Sequence, residues 1–396
     1  MTQSSDPVVI AAYARTPMGG FQGVLSAAKA TDLGAAAVRA AVARSGVDPA
    51  SVEQIYMGCV LPGGLGQAPA RQAALGAGLS QACQATTVNK MCGSGMQAAI
   101  LAHDALAAGS ADIIVAGGME SMTNAPYLLA KHRGGARIGH DVISDSMYLD
   151  GLEDAYEPGR LMGSFAEETA RAHQVSREAM DAYAIRSLER ARAAQASGAF
   201  DREMVPVEIA GRKGPETVSA DEQPGRADPA WIPTLKPAFA RDGAITAANA
   251  SSISDGAAAL VLTRASVAER LGLSPVARIV AHAAHAQEPA NFATAPGPAL
   301  RRALERAGWT AGQVDLFEVN EAFASVPVSW LKATGADPER LNVNGGAIAL
   351  GHPLGGSGAK LMSTLVNALH TRGKRYGLQT MCEGGGLANV TIVERL

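Results

Sequence analysis

The chain passes from a few polar residues into an apolar run, "VVIAAYA", that reads as a strand. A second pattern then recurs at long range. "VARSGVDPASVEQI" ends a helix at Gly46 and starts a strand near Val52, and "LERAGWTAGQVDLF" does the same at Gly308 and Val314. Each copy is followed by a glycine-flanked helix start, "GSG" at Gly93 and again at Gly356. The helices they open are "MQAAILAHDALAAG" and "AKLMSTLVNALHTRG". A strand ending in glycines closes each copy, "ADIIVAGG" through Gly117 and "GLQTMCEGGG" through Gly384. An ordered series of four landmarks predicts a duplicated α/β chain. Its halves would face each other across a pseudo-twofold axis.

Between the copies the pattern changes. Ser164 followed by Glu167 predicts a capping box, and a helix is expected from about Ser176 to Ser197, stopping at Gly198. "GRKGPETVSADEQPGRADPAWIPTLKPAFA" then holds five prolines, which remove backbone donors and predict loop. Trp231 and Phe239 in or beside it favour an ordered binding loop over disorder. The expected organisation is a first half over 1–120 plus 250–274, a loop domain over 121–249, and a second half over 275–396.

Composition narrows the class. With 396 residues there is room for two or three domains, and charged residues are only 18% of the chain. A net charge of −3 argues against nucleic-acid and membrane-surface partners. No apolar run approaches the roughly 20 residues of a membrane span. The opening residues match neither a secretory signal nor an Arg-rich leader, so a cytoplasmic location is expected. Four cysteines (Cys59, Cys83, Cys92, Cys382) are too few for a disulfide framework, and no pair has zinc-ligand spacing.

Candidate chemistry starts at Cys92, in "VNKMCGSGMQA". A thiol where a strand gives way to a helix faces free N–H groups, which should favour its thiolate. The alternative is a small buried hydrophobe. The second copy places His352 at the corresponding helix start, in "GGAIALGHPLGGSG". If the halves face each other, a base meets the thiol that it would activate. The other seven histidines read as structural. Cys382 ends the last "CEGGG" strand, and Asn320 follows another strand in "LFEVNEAFAS". Ligands of open α/β sheets bind beyond the carboxyl ends of strands, where these residues converge.

"VNKMCGSGMQA", "AGGMESM", "NEAFA", "NVNGGAIALGHPLGGSGAK" and "CEGGG" together resemble the thiolase family, acetyl-CoA acetyltransferases most of all. The resemblance runs in order from "RTPMGGF" to the last strand. It implies a five-layered αβαβα fold from two five-stranded halves, with an inserted loop domain that holds coenzyme A. Cys92 would be the acylated nucleophile, His352 its base, and Cys382 the base that deprotonates the second acetyl-CoA. His352 Nε2 and a water on Asn320 would form one oxyanion hole, and the N–H groups of Cys92 and Gly384 the other. Leu152, Met162, Phe239, Ser251, Ala322 and Phe323 fall at coenzyme A positions, with Arg226 as a phosphate contact. The resemblance further implies a homotetramer and no resident cofactor or metal, coenzyme A being substrate and product. The basic stretch "AKHRGGARIGH" is expected at subunit contacts.

Three departures from the pattern stand out. Glu383 takes the place of a small apolar residue and Ala388 that of a glycine. Leu161 stands where biosynthetic members often carry His, and "NASS" replaces "NASG" at Asn249. Strand alternation predicts that Glu383 points away from Cys382. Rival readings are a 3-ketoacyl-CoA thiolase of β-oxidation on longer chains, a decarboxylating ketosynthase, and an inactive acyl-CoA-binding protein. A ketosynthase would pair its nucleophile with two histidines, and an inactive protein would not keep Cys92, His352 and Cys382 together.

Overall fold

A computed structural model describes residues 6–211 and 214–396 of the chain. The first half builds from β1 (Val8–Arg15), α1 (Ala30–Ser45), β2 (Gln54–Gly58), α2 (Pro69–Gly76), β3 (Gln84–Val88), α3 (Ser94–Ala107) and β4 (Ile113–Ser121). After the insertion, which contains α4 (Met162–Ala172) and α5 (Arg177–Ala196), β5 (Ser254–Arg264) returns to the same sheet between β1 and β4. The second half comprises β6 (Ala277–Ala286), α6 (Pro296–Ala307), β7 (Leu316–Val319), α7 (Ser325–Thr334), α8 (Ser357–Thr371), β8 (Tyr376–Glu383) and β9 (Leu387–Arg395).

The repeat extends to backbone detail. Helices α1 and α6 both end on a left-handed glycine, Gly46 at φ 75° and Gly308 at φ 68°. The antiparallel pairs β1–β5 and β6–β9 both slip register near their starts, at Ile10/Ala12 and Ile279/Ala281. Short antiparallel pairing of Val9 and Ile10 with Arg278 and Ala277 then fuses the half-sheets into one. The strand order is β7-β8-β9-β6-β1-β5-β4-β2-β3, with the two-residue strand Gly19–Gly20 beside β5 as the tenth.

Five layers follow from three apolar cores. Leu33, Val38 and Val42 of α1 cover Ile55, Val115 and Val261 on one outer face. Leu300 and Leu304 of α6, with Trp330 of α7, cover Phe317, Leu378 and Ile392 on the other. Between the sheets lie α3 and α8, whose Ala98, Ala102, Leu106, Met362, Leu365 and Leu369 share a core with Ile114, Leu260 and Val393. From Ser357 to Leu369 helix α8 is buried all round, as a central-layer helix must be. Each such Leu or Met contributes about 1.5–3 kcal/mol by burial.

The second half lacks a full fifth strand. Where β3 pairs β2 over five residues, β7 has only a bridge from Phe317 to Leu341. Asn342 explains the loss. It sits at φ 47°, and its side chain accepts from Val319 N and donates to Val319 O, both at 2.9 Å. One amide thus replaces a ladder of backbone bonds.

The expected capping box at Ser164 does not form. Ser164 lies inside α4, and Glu167 instead accepts from Ala244 N and Ile245 N. The long helix matches its expectation, with Ser176 Oγ capping Ala179 N at 3.2 Å. From Gly214 onward the proline-rich stretch is ordered. It contains the strand Gly214–Val218, which pairs with Val207–Gly211, a turn of helix at Gln223–Arg226, and a 3₁₀ segment at Pro229–Thr234.

Candidate active site

Cys92 sits in a tight turn between β3 and α3. Met91 adopts φ 49°, a left-handed conformation that costs a non-glycine residue about 1–3 kcal/mol. Ser94 holds the turn closed, its Oγ accepting from Lys90 N at 2.8 Å and donating to Met91 O at 2.6 Å. Of the four cysteines, Cys92 alone keeps part of its surface exposed. The backbone N–H groups of Cys92 and Gly384 both bear on its sulfur and favour the thiolate. Their effect is outweighed. Burial first, then the Glu383 carboxylate, pushes the thiol up to about 12. The expectation that a helix start would acidify this cysteine is therefore corrected: desolvation and a neighbouring anion exceed what the N–H groups supply.

The His352 turn reaches the same place from the second half. The starts of α3 and α8 touch, because a Cβ on Gly95 would lie 2.9 Å from both Gly355 O and Ala359 N. At Gly118 a Cβ would overlap Gly355 O, so only glycine admits the turn there. Glu120, buried at the end of β4, ties it down. Its carboxylate accepts from Gly355 N at 2.8 Å, Val60 N at 2.9 Å and Leu61 N at 3.0 Å. Glu120 stands in the quoted "AGGMESM" motif, yet nothing local in the sequence assigns it this task.

Within the turn the imidazole is oriented at both nitrogens. Ser357 Oγ donates to Pro353 O at 2.8 Å, so it accepts from His352 Nδ1–H at 2.6 Å. That assigns the proton to Nδ1 and leaves a lone pair on Nε2. Asn320 Nδ2 lies 3.5 Å from Nε2 and points an N–H at it. Burial, with help from the Lys360 ammonium, lowers His352 to about 4. The resting thiol and imidazole are therefore both neutral. Asn320 Oδ1 has no hydrogen-bond partner among the described residues, although it is buried. The adjacent Glu321 is structural: it accepts from Tyr183 Oη and Ser187 Oγ at 2.8 Å, and from Ile348 N at 3.0 Å.

Cys382 is buried on β8. Burial, the Cys92 thiol and Glu383 together hold it well above the ordinary thiol range. Cys92 is thus among the groups that oppose ionisation of Cys382. Glu383 alternates to the opposite side of the strand, but that side is not remote from the chemistry. It faces the start of α3, where a Cβ on Gly93 would overlap Glu383 Oε1. Its Oε2 lies 3.6 Å from Lys90 Nζ, and Lys90 also bonds Asn389 Oδ1. Burial raises Glu383 to about 8, and Lys90 only partly offsets this. Glu383 points away from Cys382 as expected, yet its carboxylate raises both thiols.

The residues expected to contact coenzyme A fall in four places. Leu152 packs in one cluster with Met91 and Cys92. Met162 Sδ approaches Gly384, 3.9 Å from where a Cβ would stand. Phe239 meets Phe323 edge to face at 5.9 Å, and Ser251 N donates to Ala322 O at 2.9 Å. Arg226 stands apart from these. It borders a cavity of about 240 Å³ with Trp231 and Ser252, and its guanidinium is paired with Glu222.

This fold, with its paired glycine-rich turns, defines a class of duplicated α/β enzyme scaffold, and the comparisons name it. The thiolase N-terminal domain matches residues 8–266 and the thiolase C-terminal domain matches 273–395. The chain belongs to the thiolase family. It is 50% identical to acetyl-CoA acetyltransferase 2 of Arabidopsis thaliana, covering 98% of this chain and 97% of that protein. It is 43% identical to the cytosolic acetyl-CoA acetyltransferase ERG10 of Gibberella zeae, over 98% of both. Identity to the mitochondrial acetyl-CoA acetyltransferase B of Xenopus laevis is 46%, over 98% of this chain and 92% of that one.

Proposed function

We propose that the chain is an acetyl-CoA C-acetyltransferase, joining two acetyl-CoA molecules reversibly into acetoacetyl-CoA and coenzyme A. The observation that carries this reading is the state of His352, a neutral imidazole protonated at Nδ1, with Nε2 left as an acceptor beside Asn320 in the turn packed on the start of α3. Relatives with this name across nearly the full chain support the choice of acetyl donor.

The chemistry follows from protonation states. Neither thiol is a standing thiolate near pH 7, so each proton moves during the reaction. His352 Nε2 takes the Cys92 proton as sulfur attacks the first thioester, and the N–H groups of Cys92 and Gly384 stabilise the oxyanion. The departing coenzyme A sulfur takes the proton of Cys382. Cys382, now a thiolate beside acetyl-Cys92, removes an α-proton from the second acetyl-CoA. The enolate, held by His352 Nε2–H and a water on Asn320, attacks the acetyl carbon. Cys92 leaves and recovers its proton from His352. Losing one oxyanion donor typically costs about 3 kcal/mol of barrier.

Coenzyme A is substrate and product here, so the proposal needs no resident cofactor for the chemistry. Its pantetheine would run past Met162, Phe239, Ser251, Ala322 and Phe323, with Leu152 near the acyl end. Arg226 would reach phosphate only by leaving Glu222. A homotetramer is part of the same reading, supported by the apolar side chains Ile138, Val142 and Ile143 that the 129–143 segment exposes. A cytoplasmic place in fatty-acid metabolism completes it. Thiolysis of a chain-length series of 3-ketoacyl-CoA substrates tests the proposal. A sharp preference for acetoacetyl-CoA is expected; a preference for longer chains would select the β-oxidation alternative.

A further inference from the structure

Helix α3 carries a second group of polar residues in its last turns, roughly 15 Å along its axis from the nucleophile end. His103 and Asp104 face His282 of β6 there, at the margin of a cavity of about 360 Å³. His282 Nε2 lies 3.1 Å from His103 Nδ1 and 2.9 Å from Asp104 Oδ1, and His103 Nδ1 lies 3.0 Å from the same oxygen. Three heteroatoms thus form a nearly equilateral triangle.

Protons alone do not satisfy that triangle. Each of its three edges needs one hydrogen directed along it. Each ring nitrogen carries at most one, and a carboxylate oxygen carries none. At least one edge therefore sets two lone pairs, or two hydrogens, against each other. A cation touching all three lone pairs removes the conflict. In a tetrahedral zinc site, bonds of 2.0–2.2 Å place neighbouring ligand atoms about 3.3–3.6 Å apart, so small side-chain shifts would open the triangle to that spacing.

We propose that His103, Asp104 and His282 form a structural site for a borderline divalent metal ion of the zinc type, joining α3 of the first half to β6 of the second. Two imidazoles and a carboxylate suit such an ion, and water would complete its coordination. Asp104 has a side-chain exposure of 58%, so an ion can enter from solvent. The cations nearest the site are engaged elsewhere: Arg306 donates to His282 O at 2.8 Å, and Arg278 pairs with Glu394. The reaction needs no such ion. Its work would be to hold the halves together at the end remote from the thiols. Sequence spacing could not show it, because residues 103 and 282 meet only through the fold.

The test uses the full chain stripped by a chelator. Equilibrium dialysis against Zn²⁺ should find one tightly held ion per chain, weakened at least tenfold by Asp104→Ala and by His282→Gln. Zn²⁺ should raise the Tm of the wild type and not of either variant. Asp104 is exposed, so its substitution leaves the fold intact should His282→Gln misfold. Co²⁺ at this site should give visible d–d bands without the thiolate charge-transfer band expected from Cys92 or Cys382. Failure of the wild type to retain zinc, equal zinc binding in Asp104→Ala, or a thiolate-dominated cobalt spectrum would each overturn the site.

Discussion

Asn320 and His352 meet at 3.5 Å, amide nitrogen to Nε2, while the opposite nitrogen of the same ring is held by Ser357 at 2.6 Å. The imidazole is therefore fixed in one tautomer between residues of the same half. Ser357→Ala should free that tautomer without touching substrate. Acylation should slow by roughly tenfold to a hundredfold, part of the 10²–10⁴ that general-base catalysis contributes. Rapid-quench measurement of acetyl-enzyme formation should show the loss in rate, with KM for acetyl-CoA unchanged. An unaltered acylation rate would mean that Ser357 does not orient the base.

Glu383 gives the site a distinctive pH dependence. Its carboxyl, raised to about 8, stays protonated in the folded chain through a range where the unfolded chain, with an ordinary value of 4.5, has released the proton. Native Glu383 thus binds more protons between those limits, and stability falls as pH rises through them. Glu383→Gln should flatten that fall in urea denaturation. It should also remove the anion that opposes the Cys92 thiolate, moving the alkaline midpoint for Cys92 alkylation to lower pH. Identical alkylation profiles would show that the carboxylate does not act on the nucleophile.

Gly118 is tested by volume. A methyl group there overlaps Gly355 O, in the turn that carries His352. Gly118→Ala should cost about 1–3 kcal/mol by overpacking, read as a lower urea midpoint. It should also lose more activity than the unfolded fraction explains, because the turn must move. Full activity at unchanged stability would show that the turn is not seated against β4 in this way.

Cys92 and His352 are legible as candidates because both lie in a glycine-rich landmark that repeats, Cys92 before one "GSG" and His352 before the other. Their partners are less so. Ser357, in the second "GSG", and Glu120 have roles that depend on which segments touch, and a side chain's acceptor across the fold leaves no local spacing to read. Alternation correctly sent Cys382 and Glu383 to opposite sides of β8, but only the packing of α3 shows what the second side faces. The fifth strand of the second half failed because a single side chain, Asn342, outbid a backbone ladder. The helix start predicts the wrong sign for the Cys92 shift for a similar reason, since burial is a property of the fold and the helix start is a property of the segment.

The central claim is that Cys92 carries the acyl group and Cys382 the proton, as separate tasks. Isotopically labelled acetyl-CoA, quenched and followed by peptide mass spectrometry, measures this directly in wild type, Cys92→Ala and Cys382→Ala. The expected result is label on Cys92 in the wild type and in Cys382→Ala, with acetoacetyl-CoA formed only by the wild type, and no label in Cys92→Ala. Label that persists without Cys92, or condensation that persists without Cys382, would contradict the account.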